Sequence, residues 1–77
     1  MKIVSICDDE DICTGLQLAG IGGCVVHNPK EFSQIFEEII TDDQIGILVI
    51  TKKLFNLHSS WIDEIRLGKP LPLIVQL

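Results

Sequence analysis

Apolar residues gather in four short runs, residues 3–7, 24–26, 45–50 and 73–77. Three of the runs are rich in Val and Ile and lack polar alternation, the pattern of parallel strands covered on both faces. Between the runs the apolar positions shift to helical spacing. The second such stretch is the clearest. Phe32, Ile35, Phe36, Ile39 and Ile40 fall at i, i+3, i+4, i+7 and i+8, with Lys30, Ser33, Gln34, Glu37 and Glu38 on the opposite side. Asn28 is placed to cap this helix, Pro29 takes the first helical position, and Glu31 has capping-box spacing from Asn28. Thr41-Asp42-Asp43 ends it. A first helix is expected over about residues 11–19, with Ile12, Leu16 and Ala19 on one face and a left-handed cap at Gly20. A third is expected over about residues 52–66, using Leu54, Leu57 or His58, Trp61 and Ile65. Ser60 and Asp63 have capping-box spacing, so a restart or kink is expected near residues 58–60. Gly68 closes this helix, and Pro70 and Pro72 fix the approach to the last run.

The resulting order is βαβαβαβ. Right-handed crossovers make it a small open parallel sheet of four strands with three helices, flavodoxin- or Rossmann-like, in the order 2-1-3-4. Seventy-seven residues suffice for one small domain over residues 1–77. In that topology the first helix covers strands 1 and 2 on one face, and the other helices lie on the opposite face. Alternate residues of 45–50 and 73–77 are then expected to face solvent or a neighbour. The last strand also leaves an open backbone edge, a template for another chain. Self-association through that face or edge is therefore expected.

Composition narrows the function classes. The chain is 47% hydrophobic, with a mean hydropathy of +0.39. That is a high apolar load for so small a domain. Either helices cover the sheet or some apolar surface meets a partner. No run approaches the ~20 residues of a membrane span, and the N-terminus is not a secretory signal. Eleven acids against six Lys and Arg give a net charge of −5, with only Lys52 and Lys53 adjacent. The basic footprint of a nucleic-acid binder is missing. Cys7, Cys13 and Cys24 are odd in number and lack C-x-x-C spacing, so reduced and mostly buried thiols are expected.

The most informative stretch follows the first run: Asp9-Glu10-Asp11-Ile12-Cys13-Thr14-Gly15-Leu16-Gln17-Leu18-Ala19-Gly20-Ile21. An acidic turn, Thr14-Gly15, then Leu-Ala-Gly-Ile resembles the opening of the F subunit of the V-type and A-type ATPases, the rotary ATP synthase family of archaea and some bacteria. Two later segments are similar to the same family in the right order. Asp43-Gln44-Ile45-Gly46-Ile47-Leu48-Val49-Ile50-Thr51 resembles its third strand, and Gly68-Lys69-Pro70-Leu71-Pro72-Leu73-Ile74-Val75 its fourth. Thr14, Gly15, Gly20, Gly46 and Pro72 are the motif positions. The chain departs from the family with Cys7-Asp8 where Gly-Asp is common and with Leu16 where Phe is common. It also stops at Leu77, where the family continues into a tail with a helix, so a truncated or naturally short version is expected.

The resemblance implies a non-catalytic member of the rotating central stalk. It implies docking on the coiled-coil D subunit, indirect influence on the catalytic A/B head, and modulation of ATP hydrolysis or synthesis coupled to proton or sodium transport. It implies a cytoplasmic location, peripheral to the membrane through the complex, with no cofactor and no membrane insertion of its own. Phe55 and Trp61 on the third helix, with Leu73, Val75 and Leu77 on the last strand, are the candidate partner interface.

The chemistry-bearing residues carry no enzyme constellation. Asp8, Asp9 and Glu10 sit where open α/β sheets bind ligands and where phosphoacceptor receiver domains hold Mg²⁺. A degenerate receiver-like signalling module is the alternative reading. A receiver needs an Asp ending the third strand, however, and Thr51 stands there. The acids read instead as a solvated turn favouring a helix N-terminus. No glycine-rich phosphate loop is present. Acids beside Cys7 raise a thiol pKa, so that cysteine reads as inert. His27 and His58 share no metal-ligand spacing, and Ser59 and Ser60 lack a nucleophile elbow.

Overall fold

Ile45-Gly46-Ile47-Leu48-Val49-Ile50 forms the central strand of the computed structural model, which describes residues 1–77. In chain order the elements are β1 (Lys2–Cys7), α1 (Glu10–Leu18), β2 (Gly22–Val25), α2 (Pro29–Ile40), β3 (Ile45–Ile50), α3 (Lys52–Leu57), α4 (Ser59–Gly68) and β4 (Leu73–Gln76). All three strand pairs are parallel, and the order is β2-β1-β3-β4. The expected sheet and its order therefore hold. No helix is long and apolar enough to cross a membrane.

The front face carries the main core. Ile6, Leu48, Ile50 and Ile74 from the strands meet Phe32, Phe36 and Ile39 of α2, Leu54 of α3 and Ile62 of α4. The five expected apolar positions of α2 behave as a wide stripe: Phe32, Phe36 and Ile39 are buried, and Ile35 and Ile40 pack at the margin. Its start is closed as its spacing requires. The Glu31 backbone N–H donates to Asn28 Oδ1 at 2.9 Å, while Glu31 Oε1 accepts from the His27 N–H at 2.8 Å.

The back face is covered by α1 over β1 and β2. Here the expected face is rotated. Cys13 is the buried residue of α1, Leu16 is half-buried, and Ile12 and Ala19 are exposed. The helix begins one residue early, at Glu10, because Asp9 is its cap: Asp9 Oδ1 accepts from the Asp11 and Ile12 N–H groups at 2.8 and 3.4 Å. At the other end Gly20 has φ 89. Its N–H donates to the Gln17 carbonyl at 3.0 Å, and the Ile21 N–H donates to that of Leu16 at 2.8 Å. This is the Schellman pairing, which needs a left-handed residue after the helix.

The expected third helix is two helices, giving four in all. One residue, His58, separates α3 from α4. The expected Ser60–Asp63 capping box does not form, because α4 already begins at Ser59 and Ser60 lies inside its first turn. The ring stacked on the core along the expected stripe is that of half-buried His58, and Leu57 is exposed. Two of the three thiols are buried, and Cys24 on the β2 edge is exposed. Burial raises the Cys7 thiol above its ordinary range.

Gly15 and Gly20 separate two uses of glycine. A Cβ at Gly15 meets nothing within 4 Å, so helix propensity alone decides there, whereas Gly20 is held at positive φ. Gly15→Ala is expected to raise stability by about 0.5–1 kcal/mol. Gly20→Val is expected to lower it by more than ~1 kcal/mol. Urea unfolding of both variants checks this pair, and equal effects at the two sites contradict it.

Candidate functional site

Open parallel sheets present ligands at the carboxyl ends of their strands, where the chain leaves neighbouring strands toward opposite faces. Here that point lies between β1 and β3. Asp8 follows β1 and turns into α1 on the back; Thr51 follows β3 and turns into α3 on the front. The two are joined directly: Thr51 Oγ1 donates to Asp8 Oδ1 at 2.7 Å. Thr51 is buried, and its N–H donates to the Ile6 carbonyl at 3.2 Å. The position where a receiver carries its phosphoacceptor is thus a hydroxyl engaged by the carboxylate beside it. Because that hydroxyl turns to Asp8, it does not cap α3, which starts without a side-chain cap.

Beside this bond lies a crevice of about 230 Å³, lined by Asp8, His27, Asn28, Lys53, Leu57 and His58 among others. Its volume falls below the roughly 300–1,000 Å³ of drug-sized ligand pockets. Its charges are mixed, Asp8 against Lys53, so it carries no single-sign field. No group of three His, Cys, Asp or Glu side chains has metal-holding geometry.

His58 is the residue that sequence reasoning left undecided. Its ring lies flat on Phe32, with centroids 3.9 Å apart and planes 3° apart. Its Nε2 is buried without a hydrogen-bond partner. Burial lowers its affinity for a proton below the ordinary value of 6.5. The signal was its shared place with Leu57 on the helical stripe, but periodicity alone does not choose between neighbours.

The candidate interface residues fall into two groups. Trp61 packs edge-on to Phe36 at 4.6 Å and to Phe32 at 6.2 Å, at the core margin. Phe55 is half-buried, with the Arg66 guanidinium 5.9 Å above its ring. Leu73, Val75 and Leu77 lie instead on the back face. Pairing places Ile3 beside Ile47 and Ile47 beside Leu73, and likewise Val49 beside Val75. An apolar row thus crosses three strands where α1 does not reach. Leu73 is 54% and Leu77 53% exposed. The β3 share is less bare than expected. Val49 is 9% exposed, because β3 is flanked on both sides and β4 is not.

The β4 edge is also less open than expected. The Leu77 N–H donates to the Ile50 carbonyl at 2.9 Å, so Ile74 and Gln76 turn their backbone groups outward. Ile74 is nonetheless only 1% exposed. The connection from α4 folds over it, forming a hollow with Arg66, Lys69, Pro70 and Pro72.

Of the motif positions, Thr14 and Gly15 are exposed on α1. Gly46 is buried as the extra residue of a register shift, with Lys2 opposite Ile45 and Ile3 opposite Ile47. Pro72 is buried just before β4. A further close approach, at Gly23, had no motif to mark it. A Cβ there would lie 2.6 Å from the Ser5 carbonyl oxygen on the neighbouring strand.

The family model described as ATP synthase (F/14-kDa) subunit matches residues 3–77. The F subunit of the A-type ATP synthase of Methanothermobacter thermautotrophicus is 28% identical over 75 residues, covering 96% of this chain and 70% of that protein. No solved structure matches the chain.

The Asp8–Thr51 bond has a direct test. A hydrogen bond to a charged group contributes about 1.5–3 kcal/mol, less where water reaches it. A double-mutant cycle of Asp8→Ala and Thr51→Val is expected to give a coupling of about 1–2 kcal/mol. Strict additivity of the two single variants would show that the bond contributes nothing.

Proposed function

Because the chain belongs to the ATP synthase (F/14-kDa) subunit family, we propose that it works as a non-catalytic part of the rotating central stalk. As a subunit of the ATP synthase it is one component of a larger complex. In this reading it docks on the coiled-coil D subunit and acts on the catalytic A/B head only through the shaft. It thereby modulates ATP hydrolysis and synthesis coupled to proton or sodium transport. It sits on the cytoplasmic side, held to the membrane through the complex.

The family match along almost the whole sheet carries the proposal. The local chemistry supports it. Asp9 caps α1, Asp8 holds Thr51, Cys7 donates to Ser5 Oγ at 3.7 Å, and Cys13 accepts from Gln17 at 3.8 Å. These groups are engaged in holding the fold. The apolar row ending in Leu73, Val75 and Leu77 is the surface with chemistry left for a partner. One helix is about 10 Å across, the width of two strands about 4.8 Å apart, so the uncovered half of the back face has the dimensions of one helix.

Co-expression with the D subunit followed by size-exclusion chromatography tests the reading. A stable complex is expected, and Leu73→Asp with Leu77→Asp is expected to weaken it at least tenfold while the circular dichroism of the free chain is unchanged. A folded chain that never co-elutes with the D subunit refutes the stalk assignment. A complex indifferent to the double variant moves the interface away from β4, toward Phe55 and Trp61. Labelling by acetyl phosphate in Mg²⁺ would favour the receiver-like reading.

A further inference from the structure

α3 is the shortest helix on the sheet's front face. It has six residues and one buried side chain, Leu54. Its first turn has no side-chain cap, because Thr51 is turned to Asp8. A helix this short is marginal without tertiary support. At its far end a single residue, His58, closes α3 and opens α4. The attachment of that joint to the core is the flat stack of the His58 ring on Phe32, which is itself fully buried.

We propose that His58 is a proton-operated latch: neutral, its ring pins the α3–α4 joint on Phe32; protonated, it leaves that stack for the crevice and releases α3. The geometry gives the ring a reason to leave. The Nε2 is buried with no partner, and a charged imidazolium donates from both nitrogens. An unpaired donor bearing charge is costly in an apolar contact. The geometry also gives it a destination. The crevice beside the ring is walled by the Asp8 carboxylate.

The surrounding charges allow the exchange. Asp8 from the end of β1, His27 from the β2–α2 connection and Lys53 from α3 line the same crevice. From α2, Glu31 is occupied by the His27 N–H. The first turn of α4 carries no acid, and Asp63, Glu64 and Lys52 are exposed. Asp8 gives one carboxylate oxygen, Oδ1, to Thr51, and its other oxygen is the acceptor left to receive the ring on that side.

The sign follows from linkage. Burial lowers the proton affinity of His58 in the closed joint below the ordinary 6.5. The released ring binds its proton at about that ordinary value, so protons favour release. The closed joint is fully favoured above about pH 6.5 and loses ground as pH falls below it. The latch involves the joint alone and does not depend on the stalk assignment.

Amide hydrogen exchange of the whole chain, read residue by residue at pH 7.5 and 5.5 and corrected for intrinsic rates, tests it. In the unaltered chain the α3 amides are expected to lose protection at least tenfold at the lower pH, while β1 and β3 amides hold theirs. His58→Phe keeps an aromatic stack without the nitrogen, and α3 is expected to stay protected at both values. His58→Gln lacks the stack and stays neutral, and α3 is expected to exchange fast at both. His27→Gln is expected to keep the response. The latch is overturned if α3 protection in the unaltered chain ignores pH. It is equally overturned if His58→Phe retains the response, if His27→Gln abolishes it, or if β1 and β3 open together with α3.

Discussion

A parallel sheet presents two apolar faces, and everything else in this molecule follows from how 77 residues cover them. Right-handed crossovers send α1 to the back and α2, α3 and α4 to the front. The front is closed by aromatic side chains. Phe32 and Phe36 stack at 5.2 Å, and Trp61 and His58 close round them. The back receives one nine-residue helix, which reaches only two strands. The apolar row from Ile3 through Ile47 to Leu73 is the direct result of this asymmetry and not an accident of composition.

The same asymmetry sets where the molecule is firm. β1 and β3 are flanked by strands on both sides and carry most of the fully buried residues. α1 is fixed at both ends, by the Asp9 cap and the Gly20 turn, and α2 by Asn28 and Glu31 at its start. α3 and α4 both start without a side-chain cap. Local stability follows buried contacts and satisfied termini. Of the two, α3 is the shorter, and it lies beside the carboxyl ends of the strands.

Most of the fold was legible because local signals agreed with one another. The α2 stripe, its Asn28-Pro29-Glu31 start and the Val- and Ile-rich strands all point to one topology. The failures occurred where a local rule met a tertiary competitor. The break expected at residues 58–60 falls at His58, but the Ser60–Asp63 capping box does not form, because α4 already begins at Ser59 and the His58 ring stacks on Phe32. Ile12 has the apolarity for the buried face of α1, but the Asp9 cap fixes the helix phase so that Cys13 points inward. Gly23 lies close to Ser5 across two strands, a contact that strand register creates and no neighbouring residue announces. Among the candidate interface residues, surface position was legible only on β4. Leu73 and Leu77 follow from strand alternation, whereas the exposure of Phe55 and Trp61 depends on how α3 and α4 pack.

The Asp8–Thr51 bond occupies the place where this architecture usually receives a ligand. The carboxyl ends of adjacent, oppositely routed strands form a crevice in any open sheet of this topology. A carboxylate on one strand end and a hydroxyl on the next would ordinarily be available to a ligand. At 2.7 Å they satisfy each other. The bond ties the β1–α1 turn to the β3–α3 turn, joining the connections that lead to the two faces of the sheet. It also withdraws the Thr51 hydroxyl from the start of α3. One contact thus joins two strand ends and leaves the adjacent helix without a side-chain cap.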